Sequence, residues 1–270
     1  MNLLAIAQLN YPNIDPIIFS AGPFALRWYS LAYIGGLLFA WWYIRKGLKG
    51  PGQPLSKEHM DDFLTWATIG VILGGRLGYV LFYNPAYYAT HILDAFKLWD
   101  GGMSFHGGAT GVVVAVILYS LKHKLNMFAF GDRIAIVSPI GLLLGRLANF
   151  INGELWGRET DGWWGMVFPH DDKGLLRHPS QLYEAFLEGI VLFIIMIVLS
   201  RYTKILKKPG MLAGIFFIGY GTARFIIEYA REPDAHLGLF GGIISMGQIL
   251  SLPTFIFGLW MIWQAVQKSK

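Results

Sequence analysis

Residues 145–158, with the sequence GRLANFINGELWGR, place two arginines, two asparagines and a glutamate directly after an apolar run. Arg146 and Asn149 stand three residues apart, so a helix would present them on one face. A guanidinium at the end of a membrane-length apolar run is costly unless it meets a partner, a cavity or a ligand. Its fork of N–H donors matches the oxygens of a phosphate. This stretch therefore predicts a site for an anion.

More polar residues fall near the same end of the other apolar segments. Arg224, Glu228 and Arg231 are spaced i, i+4 and i+7, which places them on one face of a helix. His106, in the sequence GGMSFHGG, is a candidate general base near neutral pH. The other residues expected at this depth are Tyr29, Arg76, Tyr79, Tyr83, Asn152, Glu154, His178, Gln181, Tyr183 and Glu184. Such convergence of polar groups at one depth is typical of a binding site.

Each of these residues also has an ordinary structural explanation. A helix would pair Glu228 with a neighbouring arginine whatever the function. His106 would form a hydrogen bond at a helix start, the tyrosines would belong to an interfacial belt, and the asparagines would cap or join helices. The arginines are harder to explain, because neither Arg76 nor Arg146 has a carboxylate four residues away. No acidic set is expected to neutralise these two and Arg224 together.

The composition is that of a membrane protein. Of the 270 residues, 54% are hydrophobic and only 14% are charged, whereas about a quarter are charged in soluble domains. The chain has no cysteine, which excludes disulfides, thiolate metal sites and a cysteine nucleophile of its own. An HExxH pattern and a complete GxSxG elbow are also absent from the sequence. We therefore expect neither a metal nor another cofactor.

Seven segments are apolar over about the 20 residues that a membrane span needs. They predict an all-α, polytopic membrane protein with spans at 24–44, 62–83, 104–121, 134–151, 181–200, 211–229 and 242–266. Residues 1–270 would form one integral membrane domain. An N-terminal arm is expected at 1–23, and a small extracytoplasmic cap near 153–180, between the fourth and fifth spans.

The distribution of basic residues predicts the orientation. Thirteen lysines and arginines lie in the loops after spans one, three, five and seven, and six lie on the other side. Because basic residues are enriched in cytoplasmic loops, the N-terminus is expected outside and the C-terminus in the cytoplasm. The net charge of +5 thus reflects topology rather than nucleic-acid binding.

Together these features favour an enzyme or transporter that acts on an anionic lipid at the outer membrane face. A transporter would be expected to show inverted repeats and polar groups near the midplane, and neither is found in the sequence. A scaffold would pair its arginines structurally, which the clustering of so many polar residues disfavours. A metal-dependent phosphotransferase would need an aspartate cluster that the sequence lacks.

Four segments, GGMSFHGG, GRLANFINGELWGR, RHPSQLYE and GTARFIIEYAREPD, resemble the prolipoprotein diacylglyceryl transferases of bacteria. The resemblance extends over nearly the whole chain and implies seven spans in the cytoplasmic (inner) membrane. It implies transfer of the diacylglyceryl group of phosphatidylglycerol to the lipobox cysteine thiol of a preprolipoprotein signal peptide. A thioether forms and glycerol phosphate is released. The implied partners are these two substrates and membrane lipids, without nucleic acid.

The resemblance also suggests roles for individual residues. His106 would promote deprotonation of the substrate thiol, and Arg146 and Arg224 would hold the phosphate. The residues expected to bind substrate are Tyr29, Tyr83, Asn149, Asn152, Glu154, Gly157, His178, Glu228 and Arg231. The group that finally takes the proton stays open, with Glu154 or Glu228 as possible assistants to His106.

Overall fold

A computed structural model describes residues 9–22, 24–47, 55–98, 101–233, 239–240 and 244–268. These residues are mostly helical, which confirms the all-α membrane fold. The α-helices in them are α1 Trp28–Gly47, α2 Lys57–Phe82, α3 Pro85–Thr90, α4 Phe105–Lys122, α5 Met127–Ile151, α6 Ser180–Glu184, α7 Leu192–Tyr202, α8 Met211–Ile227 and α9 Met246–Gln267. A π-helical turn, Ala185–Val191, joins α6 to α7, and short 3₁₀ helices lie at Ile92–Phe96 and Ile205–Lys207.

Three small antiparallel hairpins occur in the described residues. They pair β1 Ile17–Ala21 with β2 Phe24–Arg27, β3 Met166–Val167 with β4 Leu176–Arg177, and β5 Leu239–Phe240 with β6 Ile244–Ser245. The first lies in the predicted N-terminal arm, of which residues 1–8 and 23 are outside the described residues. The second lies in the predicted cap.

Five helical segments of the described chain are long and apolar enough to cross a membrane. They are Lys57–Phe82, Phe105–Lys122, Met127–Ile151, Ser180–Tyr202 and Met246–Gln267. Met211–Ile227 is a shorter apolar helix. The first predicted span corresponds to α1, which has 20 residues but is rich in tryptophan and tyrosine and is not among the five. The count of seven spans therefore stays a prediction.

The helix starts depart from the predicted spans because caps, rather than hydropathy, set them. Ser56 accepts a hydrogen bond from the His59 backbone N–H, so α2 begins five residues early, at Lys57. The side chain of Asn126 accepts from two backbone N–H groups and starts α5 at Met127 instead of residue 134. Residues 24–27 form a strand instead of the start of α1.

The last predicted span also starts at a cap. Ser245 and Gln248 form a capping box, so α9 begins at Met246. The predicted start of this span at 242–243 lies outside the described residues. Ser245 is thereby fixed at the beginning of α9, where its hydroxyl donates to Glu228.

The chain divides into two compact units. The first consists of Met1–Phe39 and Ile134–Lys270, and the second is Ala40–Arg133. In the second unit, α2 and α4 approach closely through glycines: a Cβ atom at Gly74 or Gly111 would collide with the backbone of the other helix. Small residues four apart allow helices to pack in this way in membranes. The prediction of one membrane domain with an arm and a cap stays a prediction.

In the first unit, the cap residues have a small apolar core. It contains Phe150, Met166 and Phe168, packed against Tyr11 of the arm. The Tyr11 hydroxyl lies 2.7 Å and 2.9 Å from the carbonyl oxygens of Phe150 and Ile151, where α5 ends. The arm and the cap hairpin are thus both anchored on the end of the helix that carries Arg146 and Asn149.

Candidate active site

Six charged side chains of the first unit meet in one cluster. Helix α5 contributes one arginine, α6 and the π-helical turn contribute two glutamates, and α8 with the residues after it contributes the rest. We call this set the Arg–Glu cluster; its members are Arg146, Glu184, Glu188, Arg224, Glu228 and Arg231.

Glu184 is the centre of the Arg–Glu cluster. Arg146 Nε lies 3.2 Å from Glu184 Oε2, and Arg231 Nη1 lies 3.4 Å from Oε1. Arg224 Nη1 donates to the same Oε1. One fully buried carboxylate therefore binds guanidinium groups from two helices and from the segment after α8.

Glu228 forms the second contact point. It pairs with Arg224 one turn earlier, and its Oε1 lies 3.6 Å from Arg231 Nε. The Ser245 hydroxyl, at the start of α9, donates to Glu228 Oε2 over 2.6 Å. A Cβ atom at Gly247 would collide with this carboxylate. Glu228 thus pairs within its own segment, as its spacing indicated, and also joins α8 to α9.

Glu188 was missed by the sequence reasoning. Its Oε2 lies 3.5 Å from Arg146 Nη2, and its Oε1 is buried and accepts no hydrogen bond among the described residues. No acidic set was expected to neutralise Arg76, Arg146 and Arg224 together. Two of these arginines do share one, because Glu184, from another helix, contacts both Arg146 and Arg224, and Glu188 contacts Arg146. The signal was present, because a glutamate inside an apolar span is by default a functional candidate. A π-helical turn is also frequent at functional sites.

The accessible atoms of the cluster belong to its cations. The side chains of Arg146, Arg224 and Arg231 are 13%, 16% and 11% exposed, whereas those of Glu184 and Glu188 are 0% exposed. Glu228 is 3% exposed. The carboxylates are enclosed behind the guanidiniums, so an approaching ligand meets positive charge.

Three predicted residues form a hydrogen-bonded group beside Arg146. The Tyr29 hydroxyl lies 2.9 Å from Glu154 Oε1, and Asn149 Nδ2 donates both to that oxygen, at 3.0 Å, and to the Tyr29 hydroxyl. Gln181 Nε2 holds the Glu154 backbone carbonyl at 2.6 Å. Tyr29 and Arg146 are near enough to interact electrostatically. The structure thus brings Tyr29, Asn149 and Glu154 together, as predicted.

Gly157 lies between two chain segments. Its N–H donates to the His178 carbonyl over 2.8 Å, and it pairs with Arg231 in a β-bridge. A Cβ atom here would collide with the Ala230 carbonyl oxygen and with His178. Arg158 Nε also donates to the Arg231 carbonyl over 2.9 Å. The observed role of Gly157 is therefore to let the cap pack closely on the segment that carries Arg231.

His178 lies just before α6, outside the membrane-spanning segments. Its Nδ1 lies 3.3 Å from Trp164 Nε1 and 3.0 Å from the Tyr183 hydroxyl. Because an indole N–H can only donate, Nδ1 accepts and the neutral ring carries its proton on Nε2. Burial lowers the pKa of His178. This histidine is held in the cap by aromatic side chains, and its predicted contact with substrate stays a prediction.

Three other predicted site residues are placed as follows. Asn152 lies in the turn after α5, and its backbone N–H donates to the Ala148 carbonyl over 2.9 Å. Tyr83 ends α2 in the second unit, where its ring stacks on Tyr79 and is largely exposed. His106 lies in the first turn of α4, also in the second unit, and is exposed. Their roles in substrate binding and catalysis stay predictions.

Arg76 has a structural environment in the second unit. Its guanidinium donates to the backbone carbonyls of Asp94 (2.6 Å), Ala95 (2.8 Å), Lys97 (3.0 Å), Gly101 and Gly102 (3.1 Å). The five donors of an arginine are thereby engaged. The expectation that Arg76 helps to bind an anion is wrong, because it fixes the loop after α3 against α2.

No set of three or more histidine, aspartate and glutamate side chains in the described part of the chain is arranged to hold a metal ion. The guanidiniums of the Arg–Glu cluster are of a kind that can bind phosphate or carboxylate oxygens. Guanidiniums fixed in a water-poor setting stabilise negative charge that develops in a transition state.

Comparison with known proteins agrees with this chemistry. A family model described as prolipoprotein diacylglyceryl transferase matches residues 16–264. A phosphatidylglycerol–prolipoprotein diacylglyceryl transferase of Azospirillum brasilense is 54% identical over 265 residues, with 97% of each chain covered. Proteins of the same name from Brucella anthropi and Brucella ovis are 50% identical over 270 residues, with 97% of this chain and 96% of each relative covered.

Proposed function

Since the chain belongs to the prolipoprotein diacylglyceryl transferase family, we propose that its Arg–Glu cluster holds the lipid phosphate during the reaction of that family. The chain transfers the diacylglyceryl group of phosphatidylglycerol to the lipobox cysteine thiol of a preprolipoprotein. A thioether forms and glycerol phosphate leaves. The activity and the two substrates implied by the sequence resemblance are thereby confirmed.

The reaction is a displacement at carbon by sulfur. The thiol of the substrate loses its proton, the sulfur attacks the glyceryl carbon that carries the phosphate ester, and the C–O bond breaks with its electron pair on the phosphate. The protein must therefore help to form the thiolate and must stabilise the negative charge of the leaving group. The nucleophile comes from the substrate, since this chain has no cysteine.

The observation that carries the proposed phosphate site is the arrangement of Arg146 and Arg224 around Glu184. Both guanidiniums bind this one buried carboxylate, and both side chains stay partly accessible, at 13% and 16%. A carboxylate shared in this way holds both guanidiniums in place before the ligand binds. Less side-chain entropy is then lost on binding. Two fixed forks can bind separate oxygens of one phosphate.

The other predicted site residues receive supporting roles. The group formed by Tyr29, Asn149 and Glu154 positions the glycerol part of the head group, since it presents hydrogen-bonding atoms next to Arg146. His106 promotes deprotonation of the thiol, as an imidazole can near neutral pH. Arg231 adds positive charge from the segment after α8, and Gly157 lets the cap approach it. Asn152, Tyr83 and His178 contact the substrates.

We place the protein in the bacterial cytoplasmic membrane with the N-terminus outside, the C-terminus in the cytoplasm and the active site toward the extracytoplasmic face. The support is the excess of basic residues in the loops assigned to the cytoplasm. A reporter that is active only outside the cytoplasm should be silent when fused after Lys270. Reporter activity in that fusion would contradict the orientation.

Release of glycerol phosphate from phosphatidylglycerol in the presence of a lipobox peptide tests the phosphate site. We expect Arg146→Ala to reduce turnover by about 10²–10³-fold, as loss of one fixed donor to a developing anion does. Arg146→Lys, which keeps the charge and loses the fork, should be only partly active. His106→Gln should abolish transfer while leaving membrane insertion intact.

A matched control is Arg201→Ala, which removes an exposed arginine from the last turn of α7. It should retain wild-type turnover, so that a general effect of charge removal is excluded. Near-normal turnover of Arg146→Ala in the same assay would contradict the proposal that Arg146 holds the lipid phosphate.

A further inference from the structure

The carboxylates of the Arg–Glu cluster are held very unequally. Glu184 lies in contact with three guanidiniums. Glu228 lies in contact with two and accepts the Ser245 hydroxyl as well. Glu188 has one charged contact among the described residues, at 3.5 Å, through Oε2. Each of the three glutamates has one buried oxygen that accepts no hydrogen bond there, but Glu184 Oε2 and Glu228 Oε1 lie 3.2 Å and 3.6 Å from a guanidinium nitrogen, whereas Glu188 Oε1 has no ion pair in the described part of the chain. Glu188 is the least stabilised of the three negative charges.

Binding of the lipid changes the charge balance of the cluster. Three guanidiniums and three carboxylates balance when all are ionised. A phosphodiester adds one negative charge, and the two forks that hold it are those of Arg146 and Arg224. Arg146 then shares its charge among the phosphate, Glu184 and Glu188. An uncompensated charge is very costly where water is excluded, so a buried group takes up or releases a proton instead.

We propose that Glu188 takes up a proton from solvent when the anionic head group binds to Arg146 and Arg224. The carboxylate becomes a neutral carboxylic acid, no other bond changes, and the six cluster residues with the phosphate regain overall neutrality. This inference rests on the proposed phosphate site. Glu188 acts on the reaction through Arg146, which makes it a positioning residue.

The surroundings of Glu188 support this choice. It faces Arg146 from α5, Glu184 from its own helical segment, and Arg224 and Tyr220 from α8. Glu184 is a second negative charge near it, and the two arginines that would stabilise its ionised form are the two that the phosphate engages. Head-group binding therefore weakens the arginine interactions that favour a charged Glu188. A protonated Glu188 cannot accept the thiol proton, so His106, with Glu154 or Glu228 as assistants, stays the proposed route for that proton.

The test is proton uptake on binding. Short-chain phosphatidylglycerol is titrated calorimetrically into the full-length protein in detergent micelles, in buffers of different ionisation enthalpy. We expect wild type to take up about one proton per lipid, and its affinity to fall by up to about tenfold per pH unit on the alkaline side. Glu188→Gln should take up none, and its affinity should be independent of pH and exceed that of wild type at alkaline pH.

Asp171→Asn is the matched control, since it neutralises a carboxylate outside the Arg–Glu cluster, where Arg177 binds it. Its affinity for the lipid and its proton uptake should both stay those of wild type. Uptake that persists in Glu188→Gln, or that also disappears in Asp171→Asn, would overturn the assignment to Glu188. If Glu188→Gln does not fold, the infrared difference spectrum of wild type with and without lipid shows whether a carboxylate becomes protonated on binding. A new carboxylic-acid carbonyl band supports the proposal, and its absence contradicts it.

The two proposals fail in different ways. If Arg146→Ala binds phosphatidylglycerol as tightly as wild type, the phosphate site itself is wrong. If binding requires Arg146 but wild type takes up no proton, the phosphate site stands and only the role of Glu188 is wrong.

Discussion

Two arginine sites in this protein satisfy the guanidinium in opposite ways. Arg76 in α2 is engaged by five backbone carbonyls, which are neutral, fixed and part of one loop. Arg146 and Arg224 are engaged by carboxylates from other helical segments and keep some atoms accessible. The first arrangement uses all donors to hold a loop, whereas in the second the guanidinium side chains stay partly accessible to a ligand. An arginine in an apolar span is therefore not by itself an anion site.

Glu184→Ala is expected to have the largest effect, because it removes the carboxylate shared by the cluster arginines. Breaking a buried ion pair from one side costs about 3–5 kcal/mol, since the partner charges stay buried. Thermal unfolding in detergent micelles should show a markedly lower midpoint, and phosphatidylglycerol turnover should be lost. An unchanged midpoint would mean that solvent, rather than Glu184, stabilises the arginines.

Arg76→Ala should come next and should affect stability alone. It leaves five carbonyls of partly buried or exposed loop residues without their donor, at a cost of about 1–3 kcal/mol after relaxation. We expect a lower yield of folded protein and a lower unfolding midpoint, with normal turnover per folded molecule and a normal KM for phosphatidylglycerol. A raised KM in the folded fraction would contradict the division between the two kinds of arginine site.

Gly157→Ala tests whether the cluster depends on close packing of the cap. The added methyl group would collide with the Ala230 carbonyl oxygen, and overpacking of this kind costs about 1–3 kcal/mol. We expect a raised KM for phosphatidylglycerol, because the bridge that positions Arg231 is disturbed. Gly174→Ala, in the open turn between β3 and β4, controls for a general effect on the cap, although its positive φ of 58° carries some strain. Equal KM values for phosphatidylglycerol in Gly157→Ala and Gly174→Ala would contradict the proposal that Gly157 positions the Arg–Glu cluster.

Arg177 provides a third arginine environment, outside the membrane-spanning segments. Its Nε and Nη2 bind the two oxygens of Asp171 at 2.9 Å and 3.1 Å, and this contact lowers the pKa of Asp171. A lowered carboxyl pKa stabilises the fold at neutral pH, and that stability is lost as pH falls through the folded-state value. We expect about 1 kcal/mol of acid-sensitive stability. Asp171→Asn should remove this sensitivity below about pH 4; an unchanged acid profile would contradict it.

The sequence was sufficient for the broad architecture because hydropathy marks apolar helices and basic loops. It was insufficient for helix starts, which depend on the side chains of Ser56, Asn126 and Ser245. These caps act over two or three residues. Ser56 and Asn126 lie before the apolar runs of their predicted spans, and Ser245 lies inside the last one, where hydropathy does not mark it. The hairpin of Ile17–Ala21 with Phe24–Arg27 was missed because its first strand was assigned to the arm and its second strand to the start of the first span.

The candidate site was predicted in part. The convergence of Arg146, Asn149, Tyr29 and Glu154 followed from placing polar span ends at one depth. Glu188 was missed because its partner lies 42 residues away, beyond any local spacing rule. Arg76 was misinterpreted for the opposite reason: backbone carbonyls occur at every residue, so nothing in the sequence distinguishes the loop that accepts its hydrogen bonds.

The most direct test of the account is an experimental structure of the protein with phosphatidylglycerol bound. We predict that oxygens of the lipid phosphate lie about 2.7–2.9 Å from guanidinium nitrogens of both Arg146 and Arg224, the usual length of such charge-assisted bonds. Arg76 should still bind only its loop carbonyls. A phosphate located away from both cluster arginines, with their contacts to Glu184 unchanged, would contradict the central claim.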